Sequence, residues 1–146
     1  YPSREELSRI VDLSSQTDEA EPAMVMDRDE IAELTILARQ VIIAPHVRDF
    51  AVEIVMATQP GARQAPDVAR RYIRYGSSPR GAQALVECGR VLALMRGRLH
   101  LSMEDIASVA RPVLRHRLIL NFDAHADGQT PDTVLDQLLT RAGARD

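Results

Sequence analysis

Lysine is absent from this chain, and all 18 of its basic side chains are arginine. Codon usage in a GC-rich genome accounts for that abundance, yet the absence has a firm chemical consequence. A phosphate-binding P-loop, G-x-x-x-x-G-K-[ST], needs its lysine to reach the β- and γ-phosphates. Schiff-base chemistry needs a lysine amine. These residues cannot complete either. Cysteine is nearly absent too: the lone Cys88 excludes a disulfide framework and suits a reducing cytoplasm. Aromatic residues are only 3% of the chain, too few for the stacking platforms of a nucleic-acid binder, and a net charge of −3 points the same way. No apolar run reaches membrane-spanning length, and no signal-peptide pattern opens the chain. It starts on Tyr1 rather than Met, which reads as a piece excised from something longer.

What is present is one domain's worth of protein: 146 residues with 45% apolar content. A domain of this size buries roughly 68–70% of its unfolded surface. Ser3 and Glu6 form an S-x-x-E capping box ahead of Leu7, Ile10 and Val11, predicting a helix that fades near Ser14. Residues 15–26 read as an acidic loop. Asp27 and Glu30 cap a second helix carrying Ile31, Leu34, Leu37 and Val41. Val41-Ile42-Ile43 predicts a very short strand, with Val25 or the Leu99–Leu101 stretch as its partner. Pro45 suits the first position of a third helix, with Val47, Phe50, Ala51, Ile54 and Val55 on one face. Residues 61–78 read as a loop with one helical turn around Asp67–Tyr72, and it is locally basic through Arg63, Arg70, Arg71 and Arg74.

Pro79 to Arg96 is the longest helical pattern, closed by Gly97. Ala82, Leu85, Val86, Gly89, Leu92 and Ala93 make one apolar stripe, and Ala84, Cys88, Val91 and Met95 make another. Two stripes predict a central helix packed on several sides, with Cys88 in the core. Ser102 and Asp105 cap the next helix, which Pro112 should kink or restart. Leu118–Phe122 reads as extended, residues 123–129 as polar loop, and Thr130-Pro131 as the start of a last helix ending near Gly143. The expected fold is mainly all-α: about six helices with at most two or three very short strands.

The stretch Gly76-Ser77-Ser78-Pro79-Arg80-Gly81 opens the central helix. Ordinary capping explains serine at N-cap and proline at N1. It does not explain arginine in the first turn, where the macrodipole favours acids. An arginine beside free backbone N–H groups makes sense when both face an anion. Asp123, His125 and Asp127 would share a face if extended, as metal ligands could, although a solvated loop is the commoner origin of such a pattern. His46 and His100 lack companions at ligand spacing. Arg115, His116 and Arg117 form a basic helix end that is also a candidate partner surface.

Taken in order, several landmarks resemble one family. They are the Tyr1-Pro2-Ser3 opening, the Gly76-Ser77-Ser78-Pro79-Arg80 turn, and the Leu92–Gly97 helix end with Arg98. The Ser102–Ile106 cap follows, and then Val113-Leu114-Arg115-His116-Arg117-Leu118 with Asn121-Phe122. Together they resemble the C-terminal lid subdomain of MoxR-family AAA+ ATPases, relatives of the magnesium-chelatase ATPase subunit. The resemblance implies that Arg80 is the sensor 2 arginine, supported by Ser78 and Pro79 and sitting near the γ-phosphate of ATP. Residues 1–14 would be the linker helix from the ATPase core, with Tyr1 and Pro2 on the adenine side. Residues 29–40 would be an inserted helix, 79–97 the sensor 2 helix and 131–142 the terminal helix. ATP and Mg would be held mainly by a core whose Walker A, Walker B, sensor 1 and arginine-finger residues are not in this sequence. The fragment alone is then no enzyme, whereas its parent is an ATPase. Partners implied are that core, neighbouring subunits of a ring oligomer, and von Willebrand factor type A proteins. Two other readings stay open: a helical adaptor binding protein through the Arg63–Arg80 patch, and a small metal hydrolase using Asp123, His125 and Asp127.

Overall fold

The computed structural model describes residues 1–15 and 23–143. These residues form eight α-helices, one 3-10 turn and a two-stranded antiparallel sheet, so the chain is mainly α as expected. They fall into two units, Tyr1–Ile31 and Ala32–Asp146.

In the first unit, α1 (Arg4–Ser14) opens on the predicted capping box. The Ser3 hydroxyl accepts from the Glu6 N–H, and the Glu6 carboxylate accepts from the Ser3 N–H at 2.7 Å. That backbone donor, with the Ser3 hydroxyl, holds the Glu6 carboxyl below its ordinary value. Leu7, Ile10 and Val11 share a face as predicted but remain exposed. Most of the expected acidic loop, residues 16–22, lies outside the described residues. Helix α2 (Arg28–Arg39), which starts in the first unit and runs on into the second, begins on the predicted Asp27 cap, whose carboxylate accepts from the N–H groups of Asp29 and Glu30, each at 2.8 Å. Val41, expected on its apolar face, lies past the helix end and is buried.

In the second unit, the Val41–Ile43 run makes a single parallel bridge. The Ile42 N–H donates to the Leu99 carbonyl and the Leu101 N–H to the Ile42 carbonyl, at 3.0 and 2.9 Å. Helix α3 (Pro45–Ala57) buries Val47, Ala51, Ile54 and Val55 at helical spacing. The expected helical turn is α4 (Asp67–Tyr72), and it runs directly into β1 (Ile73–Tyr75) where loop was expected. Helix α5 (Pro79–Met95) follows, closed by Gly97 at φ +71°, a conformation that costs glycine little.

Helix α6 (Met103–Leu114) does not restart at Pro112. The proline falls in its final turn, where one missing N–H disturbs little of the ladder. A 3-10 turn over Arg115–Arg117 leads to β2 (Ile119–Leu120), which pairs with β1 through Ile73 opposite Leu120 and Tyr75 opposite Ile119. The expected polar loop contains a helix, α7 (Phe122–Ala126), capped by Asn121. Its side-chain oxygen accepts from the Ala124 N–H at 3.0 Å. Helix α8 (Pro131–Gly143) completes the chain and buries Val134, Leu135 and Leu138.

The core sits among α3, α5, α6 and α8, where Ile54, Leu85, Ile106, Leu114 and Leu135 are among the largest fully buried side chains. Helix α5 corrects one expectation. Only its Gly81–Leu85–Gly89–Ala93 face is buried, because α3 and α6 both pack on that side. Cys88, Val91 and Met95 are exposed, so Cys88 is not a core residue. No helix among the described residues is long and apolar enough to cross a membrane.

Candidate functional site

The Gly76–Gly81 turn is built onto the end of α3. Thr58, fully buried, closes that helix by donating its hydroxyl to the Val55 carbonyl at 2.6 Å. The same oxygen accepts from the Ser77 N–H at 2.9 Å. A Cβ at position 76 would run into the Thr58 carbonyl, so only glycine lets the two backbones approach. A Cβ at position 81 would meet the Ser77 hydroxyl and, at 3.1 Å, the Leu114 side chain. These contacts fix the first turn of α5 against α3 and α6.

Ser78 occupies N-cap with extended backbone, φ −79° and ψ 171°, and Pro79 stands at N1 as expected. The serine hydroxyl, however, caps nothing, and the first turn carries no acid. The N-termini of α1, α6 and α7 all have side-chain caps. Arg80 follows at N2, exposed, with no hydrogen-bond or ion-pair partner among the described residues. An uncapped helix start with a free guanidinium beside it presents two kinds of anion donor on one rigid frame.

The other arginines of the basic stretch are placed differently. Arg70 donates to the Arg63 carbonyl at 3.2 Å. Arg71 pairs with Asp127 at 2.7 Å, and the Tyr72 hydroxyl donates to the same carboxylate at 3.0 Å. Burial, together with that bond, pushes the Tyr72 phenol above its ordinary value. Arg74 lies over the Tyr75 ring, 5.4 Å from its centroid. Asp123, His125 and Asp127 lie on and just after α7, not on an extended segment, so the shared face assumed for metal binding does not form. Among the described residues no group of three His, Cys, Asp or Glu side chains could hold a metal ion. Arg115 pairs with Asp132 at 3.2 Å, and Arg117 donates to the Val113 carbonyl at 3.0 Å, while His116 is exposed. Tyr1 and Pro2 are exposed at the start of the first unit.

One cluster is absent from the sequence reading. Asp105, fully buried, receives Arg98 through both oxygens and Arg96 through Oδ1 at 2.9 Å. The Ser102 hydroxyl and N–H donate to its Oδ2 at 2.7 and 3.1 Å. The Arg98 fork, helped by the Ser102 donors, outweighs burial and holds the Asp105 carboxyl far below its ordinary 3.8. The same bonds raise the Arg98 guanidinium. The cluster locks the α5–α6 turn, and so the direction in which α5 presents Arg80. The capping box showed that Asp105 would bind Ser102; nothing local showed that two arginines from the previous helix end would join it.

The fold, with its helical bundle and glycine-clamped α5, belongs to the lids of AAA+ ATPases: residues 66–138 match the AAA lid domain family, and the chain is a member of it. Within that class it is a lid subdomain of the MoxR family. It is 30% identical over 139 residues to Chaperone MoxR1 of Mycobacterium tuberculosis, an alignment spanning 95% of this chain and 37% of that protein. It is 33% identical over 117 residues to Protein MoxR of Methylorubrum extorquens, covering 77% of this chain and 34% of the relative. A crystal structure of a candidate ATPase from Cytophaga hutchinsonii superposes with a TM-score of 0.77 at 27% identity, over 96% of this chain and 43% of that one. The chain thus spans well under half of each of these relatives.

Proposed function

We propose that this lid senses the γ-phosphate of ATP through Arg80 and passes the signal to the body of the helical bundle. The observation that carries the reading is the placement of Arg80: without a hydrogen-bond or ion-pair partner among the described residues, beside an uncapped helix start, on a helix clamped at both ends. A guanidinium so placed can gain charge-assisted hydrogen bonds from a phosphate without first breaking an internal pair. The glycine clamp to α3 and the Asp105 lock to α6 make α5 move with its neighbours, so a pull on Arg80 would move the bundle as a body.

In this reading the parent is a cytoplasmic ATPase, working as a ring oligomer and chaperone-like. A separate core holds ATP and Mg and supplies the Walker A and B groups. The chain alone, without lysine, does not hydrolyse ATP. Residues 1–14 serve as the linker from that core, with Tyr1 and Pro2 towards the adenine, and 29–40 as the inserted helix of this branch. Arg80 then reads either its own subunit's nucleotide or a neighbour's. Arg115, His116 and Arg117 are the candidate surface for a partner, a von Willebrand factor type A protein by family analogy. His116 is the freest of the three. The adaptor reading is left with Arg63, Arg70, Arg74 and Arg80, since Arg71 is already paired with Asp127.

The test is ATP turnover by the full-length protein, native and Arg80→Ala. The expected result is a fall of about a hundredfold, the scale on which removing one preorganised donor acts. Unchanged turnover in the variant removes the sensing role.

A further inference from the structure

A cavity of about 370 Å³ opens between the end of α3, the loop that follows it and the last turns of α8, all within the second unit. Pro66 and Leu138 are buried in its wall, and Met56 with the half-buried Ala57 and Ala142 completes an apolar lining. Three charged side chains stand exposed at its mouth: Glu53 on α3, Arg63 on the loop and Arg141 on α8. Volume and lining are those of a small-ligand site, in which apolar walls hold the body and a few polar groups orient it. No residue of the Gly76–Gly81 turn lines the cavity, so it is separate from the Arg80 site.

The two arginines at the mouth are unlike most others in the second unit. Arg71, Arg96, Arg98, Arg111 and Arg115 are each paired with a carboxylate. Arg63 takes part in the Arg70 bond through its carbonyl alone. Neither its guanidinium nor that of Arg141 has a hydrogen-bond or ion-pair partner among the described residues, and Glu53 at the same mouth pairs with neither. Two guanidiniums against one carboxylate leave the mouth with a single net positive charge. A guanidinium fork matches a carboxylate in shape as well as in sign.

We propose that this cavity binds a monocarboxylate with a small apolar body. The body displaces water from Pro66, Leu138 and Met56, and the carboxylate accepts from Arg63 and Arg141 at the mouth. Glu53 repels a second negative charge, which favours one carboxylate over two. The volume lies near the lower end of the range for ligand sites. It suits a small free acid or the last residue of a peptide, and both present the same chemistry.

The experiment is calorimetric titration of the full-length protein with three probes: 4-methylpentanoate, its amide, and the peptide N-acetyl-Ala-Ala-Leu with a free terminal carboxylate. Hydrogen-exchange mass spectrometry locates whichever probe binds. The acid, the peptide or both should bind at one site per chain and slow exchange across residues 53–66 and 138–143. Arg63→Gln and Arg141→Gln should each weaken that binding about threefold, the scale of an exposed ion pair, and the amide should bind about tenfold more weakly than the acid. Glu53→Gln should tighten binding of the acid. A peptide that binds more tightly than the acid assigns the site to chain ends, and the reverse assigns it to free acids; either keeps the site. Binding of neither probe overturns the proposal, as does equal affinity for acid and amide, or slowed exchange confined to other segments. Weaker binding in Glu53→Gln overturns the charge assignment, since that carboxylate would then be accepting from the ligand. All three side chains are exposed, so the variants should melt with the native protein. Early melting of both arginine variants would mean that Arg63 and Arg141 hold the loop, and would overturn their role as ligand groups.

Discussion

At the scale of single residues, three side-chain positions carry different burdens, and their variants should separate cleanly. Arg80 is exposed and has no hydrogen-bond or ion-pair partner among the described residues, so Arg80→Ala should shift the stability of the isolated chain by less than about 0.5 kcal/mol. Thermal melts of both forms would check this, and a larger loss would mean that Arg80 supports the fold. Gly76 is the opposite case. Gly76→Ala drives a methyl group into the Thr58 carbonyl, and backbone has little room to yield. Urea titration should show a loss of about 1–3 kcal/mol, and an unchanged midpoint would show that the clamp has slack. Asp105 is buried, ionised and held by two arginines. Its carboxyl titrates at its ordinary 3.8 when unfolded and well below that when folded. The stability it supplies is therefore complete above about pH 5, and drains away as pH falls through the unfolded value towards the native one. Denaturation midpoints of the native chain should fall steeply over that acid range, and those of Asp105→Asn less so. Parallel curves would show that Asp105 is not a group whose titration matters. Removing the carboxylate should itself cost about 3 kcal/mol, because the Arg98 fork, Arg96 and a serine lose their acceptor.

At the scale of elements, those whose signals are local were readable in advance and those that need a distant partner were not. The Ser3, Asp27 and Ser102 caps each satisfy orphan N–H groups within three residues, so three residues of sequence suffice to announce them. Pro45 and Gly97 likewise act through their own backbone preference. Helix α7 has only five residues and no apolar period of its own. It is organised by Asn121, whose amide donates to the Arg71 carbonyl at 2.7 Å while its N–H donates to the Tyr72 carbonyl at 2.9 Å. Both partners sit about fifty positions upstream, a distance no short window can see. Asn121→Ala removes the α7 cap and one of those ties together, and a loss of about 1 to 2 kcal/mol in chemical denaturation is expected. A loss of only a few tenths would mean that α7 is held by Ala124 packing alone. Strand β1 was missed for the same reason: three residues become a strand only when β2 pairs with them.

At the scale of the whole molecule, Arg80 was a candidate from the sequence because an arginine in a first turn contradicts a local rule, and the structure places it in an uncapped first turn without acids. Its wider setting was not legible in the sequence. The caps, the helix starts, the exclusion of P-loop and Schiff-base chemistry and the position of the candidate site all follow from side-chain chemistry acting over a few residues, which the linear order contains in full. Which of the two α5 stripes is buried, where the arginines go, and that Ser77, Thr58 and Gly76 clamp one helix to another depend on which elements meet. Hydrophobic pattern says only that a face prefers cover, because the driving force is proportional to area and has no direction. The packing of α3 and α6 on one side of α5 chose the covered face, and so left Cys88, Val91 and Met95 on the other exposed, with Arg80 at the start of the same helix.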